Sequence, residues 1–281
     1  MLHRVVVVGR RGALAVTGSD ARPRAAWRGV AVPAEHGGWG LTAEPVILGL
    51  IVAPSLAGLL LGVGALLAFV TRTPLRVVLV DQRRHRRHPR TALARRILAV
   101  ELSVLAALVV GAVLAADAPF WWPVLVAAPL VAVELWFDMR SRSRRLVPEL
   151  AGAVGIGAVA AMIVLAAAHD TRLAIGVWAV LAARSITAIP YVRAQIARVH
   201  GRSDGERSLL ATDLAAVAVA ALGVVAESAL APGAAAVAVA IGVQRIERRG
   251  PVPVPKVLGL RQMGLGALVV LASAVGVIAL G

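Results

Sequence analysis

The sequence predicts an all-α membrane protein, a bundle of about nine transmembrane helices arranged as a single polytopic domain over residues 33–281. Three observations carry this. Hydrophobic residues make up 59% of the chain, against roughly 45–50% in a soluble domain, and the mean hydropathy is +0.82. Those residues gather in runs approaching the roughly 20 needed to cross about 30 Å of hydrocarbon. Basic residues gather in the connections between alternate runs.

The spans follow in order. The first runs from about Leu41 to Ala53, entered at Trp39, and Pro54-Ser55 turns the chain into the second, Leu56 to Val80. The third covers Ile97 to Ala115, the fourth Trp121 to Phe137, the fifth Leu150 to Ala168 and the sixth Leu173 to Tyr191. The seventh is Leu209 to Leu230, the eighth about Gly233 to Arg245, short for a crossing, and the ninth Leu258 to Leu280. Residues 1–32 contain apolar pieces too short and too interrupted by arginine for a secretory h-region, so they are read as a basic, weakly ordered cytoplasmic tail.

Thirty Lys+Arg stand against 15 Asp+Glu. In a soluble protein that excess suggests nucleic acid; here the bases lie in "DQRRHRRHPR", "DMRSRSRR", "RAQIARVHGRSDGER" and "QRIERRGPVPVPK", all on one side of the predicted membrane. They read as orientation signals, not as a nucleic-acid surface. The opposite loops, "ADAPFWW", "HDTR" and "ALAPG", hold one base, Arg172, and Phe120-Trp121-Trp122 suits an outer aromatic belt. The prediction is a multi-pass protein of the cytoplasmic membrane with its N-terminus inside and C-terminus outside. With no cysteine in the chain, disulfides, thiolate chemistry and Cys-type metal sites are excluded.

Charged groups within spans are costly, about 2.5–3.5 kcal/mol each at a helix centre on insertion scales, so each requires a partner, water or a use. Glu44 precedes Pro45 in the first span, about 13 Å of rise beyond Glu35. "TRTPLR" sets Arg72 and Arg76 one turn apart around Pro74, and "ELWFDMR" does the same for Glu134 and Asp138. "ARSITAIPYVRAQ" puts Arg184, Thr187 and Tyr191 on one stripe, with Arg193 below at the cytoplasmic end. Pro45, Pro74 and Pro190 supply candidate helix breaks. Simpler roles stay open as well: Arg72, Arg76, Arg193 and Asp138 lie near enough to the surface to snorkel, and structural roles are expected for Glu149 and Asp213 as charges favouring helix starts, Glu101 paired with Arg95 or Arg96, and Glu227 near the outer face.

"PAEHGGWG" (33–40) opens the first span, and its glycines leave room for a ligand to approach the backbone beside Glu35 and His36. His36 has no second His or Cys nearby at metal-ligand spacing, so neither metal nor cofactor is assigned.

"PAEHGGWG", the following Glu44-Pro45, "TRTPLR" and "RSITAIPYVRAQ" together resemble the YwiC-like family of bacterial membrane proteins over roughly residues 33–281. A second likeness is architectural: nine spans with large cytoplasmic loops after the second, fourth and sixth resemble the UbiA superfamily of intramembrane prenyltransferases. That resemblance implies a helical ring with a cytoplasm-facing active site and two Asp-rich magnesium motifs. At the corresponding places this chain reads "TRTPLRVVLVDQ" and "RSITAIPYVRAQ", with arginines where paired aspartates are expected. Magnesium is bound through carboxylates, whereas arginine grips phosphate or carboxylate directly.

The expectation is a polar cavity open to the cytoplasm, lined by Glu35, His36, Glu44, Arg72, Arg76, Asp138, Arg184, Tyr191 and Arg193. There the arginines hold an anionic lipid or isoprenoid-like headgroup, and Glu44 or His36 acts as base in a divergent prenyltransferase-like enzyme. Two other readings stay open: a transporter or lipid-handling protein gated by the same charges, and a non-catalytic assembly partner whose charges lock helices. Beyond the lipid bilayer, the sequence names no protein partner.

Overall fold

A computed structural model of the chain describes residues 36–86, 88–142, 144–201 and 206–281, with His36 and Glu206 described by their backbone alone. These residues form nine α-helices and no strand: α1 (His36–Val52), α2 (Leu56–Arg83), α3 (Pro89–Ala115), α4 (Trp122–Met139), α5 (Leu146–Ala166), α6 (Thr171–Val199), α7 (Glu206–Ala226), α8 (Ala231–Glu247) and α9 (Pro255–Leu280). Eight are long and apolar enough to cross a membrane when the 3₁₀ turn Ser228–Leu230 is counted with α8.

Local chemistry sets the ends. Ser55 adopts an extended backbone and its hydroxyl accepts from the Gly58 amide, opening α2. Asp170 caps α6 through the Arg172 amide, and Glu227 accepts from the Ala229 amide to start the 3₁₀ turn. Pro89, Pro123, Pro232 and Pro255 stand in the first turns of their helices, where the missing N–H goes unneeded.

The eighth crossing, expected to be short, becomes a 20-residue span from Ser228 to Glu247 because the 3₁₀ turn continues into α8. The short apolar helix is instead α1, at 17 residues. α2, α3 and α6 run well past the expected spans into arginine-rich ends, because hydropathy marks the hydrocarbon while helical hydrogen bonding continues beyond it. α1, α2 and α6 pass unbroken through Pro45, Pro74 and Pro190, so the candidate breaks are absorbed within continuous helices.

α5 and α6 are the most deeply packed helices. α1 lies against both, α2 and α4 flank α5, α7 and α8 flank α6, and α9 returns to α1. In lipid no hydrophobic drive separates helix from solvent, so close fit of small residues does the work. Ala158, Ala160 and Ala161 of α5 and Ala174 and Ala183 of α6 are buried. Gly176 and Gly223 bring α6 and α7 together: a Cβ at either would stand 3.1–3.2 Å from the other's carbonyl oxygen. The outward faces carry apolar side chains such as Leu114 and Val225. The aromatic cluster divides: Trp121 is exposed as a belt residue would be, but Phe120 stacks on it from inside the core.

Hydrogen bonds gather all four basic connections at one end. Arg83 and Arg84 donate to the Met139 carbonyl and the Ser141 hydroxyl, Arg193 to the Arg144 carbonyl, and Arg198 to the Gly250 carbonyl. At the other end the Asp117 amide donates to the Ala166 carbonyl. Because the chain contains no cysteine, Ser141→Cys and Asp117→Cys are clean reporters. An impermeant thiol reagent applied outside intact cells is expected to label Asp117→Cys and spare Ser141→Cys, and the reverse pattern would invert the topology.

Candidate functional site

Helix-borne charges meet across helix boundaries, and the first cluster centres on α2. Arg72 is held by α4: its Nη1 lies 2.6 Å from Glu134 Oε1, and its Nε and Nη2 donate to the Asp138 carboxylate at 2.8 and 3.2 Å. The spacing that put Glu134 and Asp138 on one face therefore makes a two-carboxylate clamp. Gly152 of α5 leaves the room for it, since a Cβ there would collide with the Glu134 carboxylate. Arg76, one turn on, is half-buried and forms no ion pair with a described residue.

A second cluster lies at the middle of α6. Arg184 is 2% exposed. Its Nη2 donates to the Gln262 backbone carbonyl of α9 at 2.6 Å and stands 3.8 Å from Glu44 Oε1 of α1, an ion pair beyond hydrogen-bond distance. Glu44 nests on Gly266 of α9, where any Cβ would overlap its carboxylate. The Arg184 Nε and Nη1 and the Gln262 Nε2 have no hydrogen-bond partner.

From there a file of polar side chains leads to the basic end. Gln244 of α8 approaches Gln262 at 3.4 Å, Thr187 of α6 lies 3.0 Å from Gln244 Oε1 and 2.9 Å from Asp213 of α7, and Arg245 closes the file on Asp213 at 2.9 Å. A third cluster sits lower on α6: Tyr191 donates to Glu247 at 2.6 Å and accepts from Gln195, and Arg261 pairs with Glu247. Arg193 pairs with Glu149 at 2.8 Å.

The expected residues are thus partly brought together. Glu44 joins Arg184, and Asp138 joins Arg72, but the two pairs are separate, and Tyr191 and Arg193 face different neighbours. Glu35 lies outside the described residues; His36 is the first residue of α1, its side chain likewise outside them. Among the described residues the polar groups form closed clusters instead of one open cavity, because Arg72 and Arg184 each meet a carboxylate from another helix. A depression bordered by Tyr191, Asp213, Gln244, Arg245 and Arg248 encloses about 10 Å³, near the minimum for one water. A pocket of about 400 Å³ between α7 and α8 is apolar, bordered by Val217, Val224 and Val237 among others.

Two structural expectations are corrected. Asp213 lies in the third turn of α7, which begins at Glu206, and serves Thr187 and Arg245 instead of a helix start. Glu101 faces Thr71, not Arg95 or Arg96, because those arginines are exposed one turn or more nearer the α3 start. In "PAEHGGWG" the glycines differ: a Cβ at Gly37 would meet nothing within 4 Å, whereas Gly38 makes room for the Phe69 ring, which a Cβ would meet at 2.6 Å, and Trp39 packs edge-on against the same ring. Gln244 and Gln262, both buried, were missed because a glutamine carries no charge signal of its own and each adjoins an arginine, so that Gln244 was read as part of a basic connection. Among the described residues no group of three or more His, Asp or Glu side chains is placed to hold a metal.

These features define a multi-pass α-helical membrane protein with charge pairs inside its bundle. Residues 32–167 match the family described as YwiC-like protein, so α1 to α5 carry the YwiC-like signature, including "PAEHGGWG", Glu44-Pro45 and "TRTPLR". The match stops short of Arg184. No curated protein and no solved structure matches the chain.

Removing Arg72 would leave two carboxylates, one of them only 1% exposed, without their cation. Arg72→Ala is therefore expected to destabilise by on the order of 3 kcal/mol, read as a lower melting temperature in detergent. Adding Glu134→Gln and Asp138→Asn is expected to restore part of the loss.

Proposed function

We propose that the protein binds an anionic group, of the kind borne by a phospholipid or isoprenoid headgroup, at Arg184 in the interior of the bundle. One observation carries the reading: Arg184 is buried with two of its guanidinium donors unpartnered, beside an unpartnered Gln262 amide. All the unfilled groups are donors. A buried donor without an acceptor costs about 1–3 kcal/mol, more when charged, so the missing group is an acceptor, and a negatively charged one complements the guanidinium best. The Glu44 charge, 3.8 Å away, balances Arg184 in the absence of ligand without occupying its Nε and Nη1 positions.

Entry is proposed from the basic end, and its arginine-rich connections support a cytoplasmic side for it. The Asp213–Arg245 pair and the Thr187–Gln244–Gln262 file supply the route, and it is closed in this conformation. In a prenyltransferase-like version, supported by the architectural likeness alone, Glu44 or His36 takes a proton from the bound acceptor. In a transport version the same anion crosses unchanged. The Arg72 clamp favours a different role for its own region, the locking of α2 to α4, because its two carboxylates already complement the guanidinium.

Native mass spectrometry of gently solubilised protein, compared with a folded Arg184→Gln variant, tests the proposal. A defined anionic molecule retained by the parent and lost by the variant is expected. Identical spectra, with bulk phospholipid on both, would overturn it and leave the Arg184–Glu44 pair as a helix lock.

A further inference from the structure

The bundle holds one more intramembrane carboxylate, and its surroundings differ from all the others. Glu44, Glu134, Asp138, Asp213 and Glu247 each meet an arginine from a neighbouring helix. Glu101 meets none among the described residues. It lies near the middle of the 27-residue α3, about 18 Å of rise from the helix start, where an ionised carboxylate is costly.

The geometry leaves Glu101 half-buried on the lipid-facing α3, with no cation beside it among the described residues. Among the described residues α3 packs against α2 alone, and Val100, Leu102 and Val104 around Glu101 are exposed, as lipid-facing side chains are. Across the α2–α3 seam it faces Thr71, which is buried. Glu101 Oε2 and Thr71 Oγ1 are both buried without a hydrogen-bond partner. No charged group of either helix turns to it: Arg72, beside Thr71, spends its guanidinium on Glu134 and Asp138, Arg76 forms no pair with it, and Arg95 and Arg96 are exposed.

A carboxylate with no cation, placed in hydrocarbon, takes up a proton instead of remaining charged. We propose that Glu101 and Thr71 form a proton-binding site in the α2–α3 seam, distinct from the Arg184 site and independent of what binds there. The proton resides on the Glu101 carboxyl, and a hydroxyl opposite it can both donate and accept. Thr71 immediately precedes Arg72 on α2, so a change of charge at Glu101 acts on the same helix turn that α4 clamps. The inference is a proton-linked element in the YwiC-like half of the protein.

A hydrophobic carbodiimide tests this, since it adds to a protonated carboxyl in an apolar site and leaves a stable acylurea on that residue. Applied to the intact chain in lipid nanodiscs and followed by peptide mass spectrometry, it is expected to modify Glu101 and spare the ion-paired Glu44 and Glu134. Labelling is expected to fall at least tenfold as pH is raised from about 5 to about 9, because loss of the proton removes the reactive form of the carboxyl. The isosteric Glu101→Gln variant is expected to keep its fold and lose the adduct. No adduct at Glu101 would overturn the proposal, and so would an adduct whose yield is constant with pH, because a proton that never leaves is a structural hydrogen bond and not a bound ligand.

Discussion

A guanidinium inside hydrocarbon cannot shed its charge, because arginine does not deprotonate under protein conditions. Arg184 therefore dictates what surrounds it. It demands a counter-charge from another helix and acceptors for its donors, and the chain supplies Glu44 from α1 and the Gln262 carbonyl from α9. The requirement of one side chain on α6 thus ties the first and last of the described helices to the centre of the bundle.

Arg72 and Arg184 show two degrees of completion. Arg72 is clamped by two carboxylates with three short contacts, and both acids come from one helix. Arg184 has one distant carboxylate and one carbonyl, with donors to spare. In each case a glycine on a third helix makes the acid's position available: Gly152 beside Glu134, Gly266 beside Glu44. Small residues thus act twice, by letting backbones approach where Gly176 meets Gly223 and by leaving room for charge within the interior. Complementing a buried cation fully favours rigidity, while complementing it partly leaves capacity for a ligand.

The helical crossings were legible because apolar run length and arginine placement are direct consequences of the bilayer. The common end of the four basic connections was legible too, and Arg83, Arg84, Arg193 and Arg198 now join those connections by hydrogen bonds. Pairing on one helix face, as for Glu134 and Asp138, could be read from a four-residue interval. Which acid meets which arginine could not, since that depends on helix order in space: Arg72 finds α4, but Arg184 finds α1. Gln244, Gln262 and Thr71 lacked any charge to draw notice, and Asp213 was misplaced because α7 begins upstream of its apolar run. Of the glycines of "PAEHGGWG", Gly38 accommodates Phe69, while a Cβ at Gly37 would meet nothing within 4 Å.

The central claim is that Arg184 and Glu44 are energetically coupled across α6 and α1. A double-mutant cycle with Arg184→Gln and Glu44→Gln, read as unfolding free energy in bilayer-mimetic micelles, addresses it directly. A coupling of at least about 1 kcal/mol, the range found for contacting residues, is predicted, with the double variant more stable than the sum of the single losses implies. Additive losses would contradict the account, since they would mean that the two charges do not depend on each other.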